Sequence, residues 1–274
     1  DRGSHKKTTM NPTTIKENYT PGHTPNAFSF MAVRDLDSHG FFLTPFLQTD
    51  LEVLDAGCGP ATISADIADA VFPGKVTALD VSSSELDQGR RLAEGREIVN
   101  LEFVAGSAYE MPFPDNSFDV VFSLDLFEHL SEPLKALREF HRVVRPGGFV
   151  ALSTPDWDAI EISPLPMALG RAINAYRDLE ERNGGNSRAG LHLGEWLVDA
   201  GFAPLSNGDW IEEYEEPRRF AEYLGLQLET AGLFHHATAL RDWVREPDAS
   251  FRQSWKYVTG VRPSTNKRRK RARE

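Results

Sequence analysis

The sequence predicts an α/β fold in which helices cover both faces of a doubly wound, largely parallel sheet. Two observations carry this prediction. Short apolar, strand-like runs alternate with helix-like runs along residues 51–153, and a Gly-x-Gly turn, Gly57 and Gly59, joins the first strand to the first helix. Such alternation is typical of parallel sheets with crossover helices. Ligands of these sheets bind at the carboxyl ends of the strands.

The glycine turn lies within the stretch 51–62. A short apolar strand ends at Asp55, the turn follows, and a helix is predicted from about Thr62 to Val71. Glycine lets the backbone approach a ligand closely, and the start of a helix directs N–H groups toward it. A dinucleotide site would need a third glycine where Thr62 stands, so the sequence disfavours pyrophosphate binding. A strand-to-helix turn that binds nothing remains the alternative.

The second strand, Lys75 to Asp80, also ends in an acid. An acid at this place accepts hydrogen bonds from ribose hydroxyls in βαβ nucleotide sites, so Asp80 is predicted to bind a ribose. The alternative is that Asp80 only caps the helix predicted from Ser83 to Glu94. Three further strands and one helix continue the alternation, at 101–105, 114–123, 149–153 and 134–144.

The pattern changes after residue 153. A loop is predicted at 154–158, and helical cap segments are predicted near 160–190 and 215–248, the second as one helical stretch over 217–246. A helix over 191–200 and two closing strands, starting near 202 and 255, complete the chain. Residues 10–50 are predicted to form an N-terminal arm that covers the ligand pocket.

Composition places further bounds on the protein. The 274 residues are 40% hydrophobic and 26% charged, and no run approaches the roughly 20 apolar residues that cross a bilayer. No secretory signal is apparent, and the single cysteine, Cys58, favours a reducing, cytoplasmic location. Cys58 lies inside the glycine turn, where it is interpreted as a small filler rather than a nucleophile.

Charge is distributed unevenly. The net charge is −11, but residues 267–274 carry a net +5, so the rest of the chain carries −16. Such an acidic body repels phosphate backbones, and nucleic acid is therefore not predicted as a partner. Residues 263–274 are predicted to be a basic disordered tail. Residues 1–9 are interpreted as a probable tag remnant.

Several segments together resemble a known family. The string from Val53 to Ala61, the segment Gly106-Ser-Ala-Tyr-Glu-Met-Pro-Phe113 and the run 134–153 with its Arg-Pro-Gly-Gly turn resemble the class I S-adenosylmethionine (SAM)-dependent methyltransferases. The likeness is to the ubiquinone/menaquinone C-methyltransferase-like (type 11) members and covers residues 19–205. It implies a seven-stranded Rossmann-like sheet, six strands parallel and one antiparallel, with residues 51–262 as the SAM-binding domain.

The resemblance also implies a site. Ser107 stands where the family usually has an aspartate that binds adenine, and Ala61 where it often has a third glycine. His129 follows the central strand and is a candidate general base, or else a group that positions the cofactor. The residues expected to bind SAM are Tyr19, His23, Arg34, Asp55, Gly57, Cys58, Gly59, Asp80, Val81, Ser107, Ala108, Leu124 and Asp125.

Methyl transfer from SAM to an O, N or C nucleophile of a small molecule is the implied reaction. Four aromatic residues are candidates to line the acceptor pocket, with core packing as the alternative role for each: Phe28, Phe30, Trp157 and Trp196. No metal site is predicted, because His235 and His236 are adjacent and lack partners at ligand spacing. Two other functions stay open: a different reaction on the same fold, or a non-catalytic binding or scaffold role.

Overall fold

The computed structural model describes residues 18–264, which form one seven-stranded sheet with helices on both faces. Strand order across the sheet is β3-β2-β1-β4-β5-β7-β6, and only β7 runs antiparallel to its neighbours. The prediction of six parallel strands and one antiparallel strand is therefore confirmed. The strands are β1 (Glu52–Ala56), β2 (Lys75–Asp80), β3 (Leu101–Ala105), β4 (Phe118–Leu124), β5 (Val144–Ser163), β6 (Ala203–Glu213) and β7 (Ser250–Val261).

Helices cover the sheet and extend beyond it. Helices α3 (Thr62–Val71) and α5 (Pro133–Val143) cover opposite faces of the sheet, because alternate residues of β1 and β4 pack against one helix or the other. Val120 and Phe122 pack with α3, whereas Val121 packs with α5 and α7. The helices are α1 (Pro25–Met31), α2 (Leu36–His39), α3 (Thr62–Val71), α4 (Ser83–Gly95), α5 (Pro133–Val143), α6 (Met167–Arg182), α7 (Ala189–Asp199), α8 (Pro217–Thr230) and α9 (Phe234–Trp243).

The fifth strand differs from the prediction. The loop expected at 154–158 is instead a continuation of β5, which runs to Ser163. Its extension pairs with β7 from Ser153 opposite Tyr257 to Ser163 opposite Ser250, with an irregularity between Asp156 and Ile160. Proline and acidic residues in this stretch are typical of a loop, but hydrogen bonds from the distant strand β7 hold it in the sheet.

A helical cap lies beyond one end of the sheet. The helical stretch expected over 217–246 is two helices, α8 and α9, separated at Gly232, whose φ of +77° suits glycine at a helix end. Together with α1 and α6, these two helices bury a separate apolar cluster that includes Leu169, Leu224 and Trp243. We call α1, α6, α8 and α9 the cap.

The tag remnant predicted at 1–9, and residues 265–274 of the basic tail predicted at 263–274, lie outside the described residues. Within residues 18–264, no helix is long and apolar enough to cross a membrane.

Candidate functional site

A cavity of about 290 Å³ opens at the carboxyl ends of β1, β2 and β4. We call it the first cavity. All thirteen residues that the sequence predicts to bind SAM line it, as does His129. The arm supplies Tyr19, His23 and Arg34 from above, and the strand ends supply the remainder. Residues nearly 110 positions apart in the chain therefore meet around one space, as the carboxyl-edge rule requires.

The glycine turn forms the floor of this cavity. Gly57 has φ of +76° and Gly59 has φ of +50°, values that glycine adopts without steric cost. Ala61 also lies in the left-handed region, at φ +59°, directly before α3. A Cβ on Gly57 would come within 3.3 Å of the Leu126 side chain, so the turn is packed on one side and open to the cavity on the other.

Two carboxyls, the half-buried Asp80 and the buried Glu85, line the cavity beyond the end of β2. Asp80 accepts hydrogen bonds from the N–H groups of Gly59 and Ser82, at 3.0 and 2.9 Å. Ser82, rather than Asp80, is the N-cap of α4. Glu85, in the first turn of α4, is 4% exposed, and its Oε2 has no hydrogen-bond partner among the described residues. Glu85 was not predicted as a site residue, although the sequence shows it as a second acid, in the first turn of the helix that follows Asp80.

Burial changes the protonation of two groups in the turn. Burial raises the pKa of Asp55 to about 7, although a hydrogen bond from Ser64 Oγ at 2.6 Å opposes the shift. Burial, and then the nearby Asp55, raise the pKa of the Cys58 thiol well above its usual range. The thiol therefore stays protonated, and this fits its interpretation as a filler.

An ion pair closes the far end of the first cavity. Arg34 Nη1 of the arm lies 2.6 Å from Asp125 Oδ2, and Asp125 has a left-handed φ of +57°. Burial alone would raise the pKa of Asp125, but the Arg34 charge outweighs it and holds the pKa well below its usual range. Burial and the Asp125 charge raise the pKa of Glu128, which also accepts a hydrogen bond from Thr154. The pKa values of these two neighbouring carboxyls are therefore shifted in opposite directions.

His129 is held by a carboxylate of the cap. Its Nδ1 lies 3.2 Å from Glu180 Oε2, and Tyr176 Oη donates to the other Glu180 oxygen at 3.4 Å. Burial alone would lower the pKa of His129, but the Glu180 charge and hydrogen bond raise it. Glu180 is 1% exposed and was not singled out from the sequence, because it lies 51 residues away in α6.

Asp125, Glu128 and His129 could in principle share a metal ion, since one ligand atom from each lies within 4.8 Å of the others. Asp125 is already paired with Arg34, and the raised pKa of Glu128 favours its protonated form. Both facts oppose a divalent cation, which needs ionised oxygen or neutral imidazole ligands. The prediction of no metal remains a prediction.

A second, smaller cavity of about 20 Å³ lies between the cap and the β5–β7 ladder. It shares Arg34, Asp125 and His129 with the first cavity, so these three residues form the junction between the two. Its walls are mainly aromatic. The aromatic side chains that line it are Phe30, Trp157, Tyr176, Tyr214, Phe220, Tyr223 and Trp255.

The four predicted acceptor-pocket aromatics separate into two pairs. Phe30 and Trp157 line the second cavity, whereas Phe28 and Trp196 line neither cavity. Trp196 is half-buried on α7, where it stacks on His192 with ring centroids 5.3 Å apart and packs against the sheet core. The structure thus brings Phe30 and Trp157, but not Phe28 and Trp196, to the second cavity: Phe30 rather than Phe28 is buried on α1, and Trp196 packs on α7 against the sheet core.

Comparison with known proteins agrees with the fold and the motifs. Residues 54–152 match the family model described as a methyltransferase domain. An uncharacterized methyltransferase of Schizosaccharomyces pombe is 30% identical over 196 residues, which cover 68% of this chain and 70% of the relative. A fatty-acid O-methyltransferase of Mycolicibacterium smegmatis is 35% identical over 191 residues, which cover 65% of each protein.

A solved structure of a putative methyltransferase from Bacillus halodurans superposes with a TM-score of 0.64. It is 20% identical, and the match covers 83% of this chain and 100% of that one, a likeness that shows the fold. The chain belongs to the class I SAM-dependent methyltransferases of the type 11 family. It spans 45% to 70% of the length of curated relatives that it matches.

Proposed function

We propose that this chain transfers a methyl group from SAM to a small-molecule acceptor. The observation that carries the proposal is the first cavity, whose lining combines a glycine turn, the carboxyls of Asp80 and Glu85 and the aromatic and charged residues of the arm. Family membership supports the cofactor, and the volume supports a small ligand rather than a macromolecular one.

The lining of the first cavity fits SAM in its polar groups. Glu85 Oε2 is buried without a partner, and a buried carboxylate oxygen in that state is costly unless a ligand donates to it. The two ribose hydroxyls are suitable donors for Glu85 and Asp80. Ser107 and Ala108 would border the adenine, and the glycine turn would border the methionine part. When bound, SAM supplies an electrophilic methyl group on a sulfonium.

His129 is proposed as the group that takes a proton from the acceptor. It lies at the junction of the two cavities, and Glu180 fixes its Nδ1 side by a hydrogen bond of 3.2 Å. Its Nε2 then remains available toward the junction, apart from a distant Glu128 oxygen at 3.9 Å. A carboxylate that orients an imidazole and stabilises its charged form is a common arrangement for general-base catalysis.

The arm is proposed to exclude water from the junction. Arg34 reaches across to Asp125, while Tyr19 packs edge-on against His129 with ring centroids 4.8 Å apart. A closed junction holds the reacting groups in line and strengthens every electrostatic interaction inside it. Much of the rate enhancement would therefore come from positioning.

Calorimetric titration of the purified protein with SAM and with S-adenosylhomocysteine (SAH) tests the proposal. Micromolar affinity for both is expected. A panel of small acceptors is then assayed for SAH formation. No binding of either ligand would contradict the cofactor assignment and favour the scaffold role, and tight binding without SAH formation on any acceptor would favour a non-methylating reaction.

A further inference from the structure

We propose that the second cavity binds the aromatic head of an uncharged methyl acceptor, and that Gln253 donates a hydrogen bond to an oxygen of that head. The inference rests on the proposed function, because it assigns the acceptor site to the cavity that adjoins the proposed SAM cavity. It goes further by naming the chemical class of the acceptor and the residue that selects it.

The walls of the second cavity favour a flat aromatic ligand. Phe30 and Tyr223 stack with ring centroids 4.0 Å apart and planes 6° from parallel, and Phe220 stacks on Phe251 at 3.6 Å. Rings held in this way offer broad, rigid faces at low entropic cost. The stack is supplied by both the arm and α8, so a ring that enters between them replaces one aromatic contact with another.

The charges around this cavity disfavour a cationic acceptor. The Arg34 guanidinium already lies over the rings of Trp255 and Phe30, 5.1 and 6.0 Å from their centroids. A second cation on the same aromatic faces would be repelled by it. The two carboxyls that line the cavity are already engaged, since Asp125 is paired with Arg34 and Glu128 accepts a hydrogen bond from Thr154.

Gln253 is the polar group of this cavity that lacks a counterpart. It is 3% exposed in the middle of β7, and its Oε1 lies 3.3 Å from Tyr214 Oη, whose single proton is shared with Glu212 Oε2 at the shorter distance of 2.8 Å. Its Nε2 is buried with no hydrogen-bond partner among the described residues. Leaving such a donor unmet costs free energy, and a carbonyl or hydroxyl oxygen of a ligand would satisfy it.

The size of the cavity indicates how the acceptor enters. About 20 Å³ is room for a single water molecule, so a ring must displace a side chain. Phe30 is the candidate, because the seven-residue helix α1 that carries it is the shortest helix of the cap. We expect the arm to open for the acceptor and then to return Arg34 to the junction.

The test measures acceptor binding to the SAH-saturated protein by calorimetry. The probes are ortho-hydroxyacetophenone, which is planar, uncharged and carries two oxygens, phenethylamine as a cationic ring, and decanoate as a flexible carboxylate. The ketone is expected to bind at least tenfold more tightly than the other two. Gln253→Leu is expected to weaken ketone binding about tenfold while the SAH affinity stays unchanged.

Gln48→Leu is the control for the substitution, because Gln48 is an exposed glutamine that lines neither cavity. It should leave ketone binding intact. If Gln253→Leu does not fold, Gln253→Asn keeps the amide and withdraws it by one methylene, with the same expected loss. Three results would overturn the inference: amine or carboxylate binding as tight as that of the ketone, no ketone binding to the SAH-loaded protein, or a Gln253 variant that binds the ketone as tightly as the parent. Failure of the unsubstituted protein to bind SAH would instead overturn the proposed function.

Discussion

The two cavities differ in how the chain builds them. The first is formed mainly by residues at or after strand ends within residues 51–130, with four additions from the arm. The second is formed largely by side chains of α1, β5, α6, α8 and β7, which extend from Phe30 to Trp255, together with Tyr214 just after β6 and the junction residues. One site is therefore the product of local turn chemistry, and the other is the product of long-range packing. Substitutions in the two sites should affect different measurable quantities.

A substitution at the junction of the two cavities is expected to have the largest effect on turnover. His129→Ala is expected to lower turnover by about 10²–10⁴-fold, the usual contribution of a positioned general base. Calorimetry should show SAM affinity largely unchanged, because the proposed cofactor contacts come from other residues. His192→Ala, on α7 and away from both cavities, is the control. Unaltered turnover in the His129 variant would mean that positioning suffices.

Asp80 tests the first cavity alone. Asp80→Asn removes a half-buried carboxylate that is proposed to accept from ribose hydroxyls, and we expect about a 10–100-fold loss of SAM affinity. Asp87→Asn is the control, because Asp87 is exposed on α4 and pairs only with Arg90, at 2.7 Å. Equal affinities in the two variants, measured by calorimetry, would remove the ribose assignment.

Glu180, on α6 of the cap, contacts the proposed general base His129. Its negative charge raises the pKa of His129, so Glu180→Gln should lower that pKa. Because a base acts in its deprotonated form, the acidic limb of the pH–rate profile should move to lower pH. Glu181→Gln, an exposed neighbour, is the control. A purely structural Glu180 would change the height of the profile without moving it.

The buried carboxyl of Asp55 is expected to make the free energy of unfolding depend on pH. Its pKa is about 7 in the folded chain, against an ordinary value of about 4, so the folded state holds the proton more tightly. Stability is then fully present below pH 4 and declines as pH rises toward 7. Asp55→Asn should therefore be about 1–2 kcal/mol more stable than the parent at pH 8, by urea unfolding, with no gain at pH 4. The exposed Asp69→Asn should behave like the parent at both pH values.

Ala61 gives the smallest expected effect. Its left-handed backbone penalises any Cβ, so Ala61→Gly should raise the free energy of unfolding by about 0.5 kcal/mol. Ala65→Gly, one turn later in α3, should lower it by about 1 kcal/mol, because glycine disfavours a helix interior. Thermal unfolding of both variants checks the sign, and a loss in the Ala61 variant would mean that packing of its buried methyl dominates.

The same contrast explains what could be predicted from the sequence. The bounds of β2, β3 and α3 agree with the prediction, because apolar runs and turn residues determine them locally. The continuation of β5 to Ser163 was missed, because its partner β7 lies about 100 residues further along the chain. Glu180 and Gln253 were missed for the same reason: neither has a local signal, and each reaches its cavity only through the arrangement of the cap.

The long pairing of β5 with β7 has a consequence for how the protein opens. The pairing of β5 with β7 runs from Phe149 in the sheet core to Ser163 beside the cap, interrupted only between Asp156 and Ile160, and its buried face belongs to both regions. Amide hydrogen exchange should therefore show the slowest protons of the two regions leaving together, as one cooperative unit. The arm, tied mainly by side chains, should exchange first. A chain built in this way can admit ligands repeatedly while the framework that aligns the two cavities remains intact.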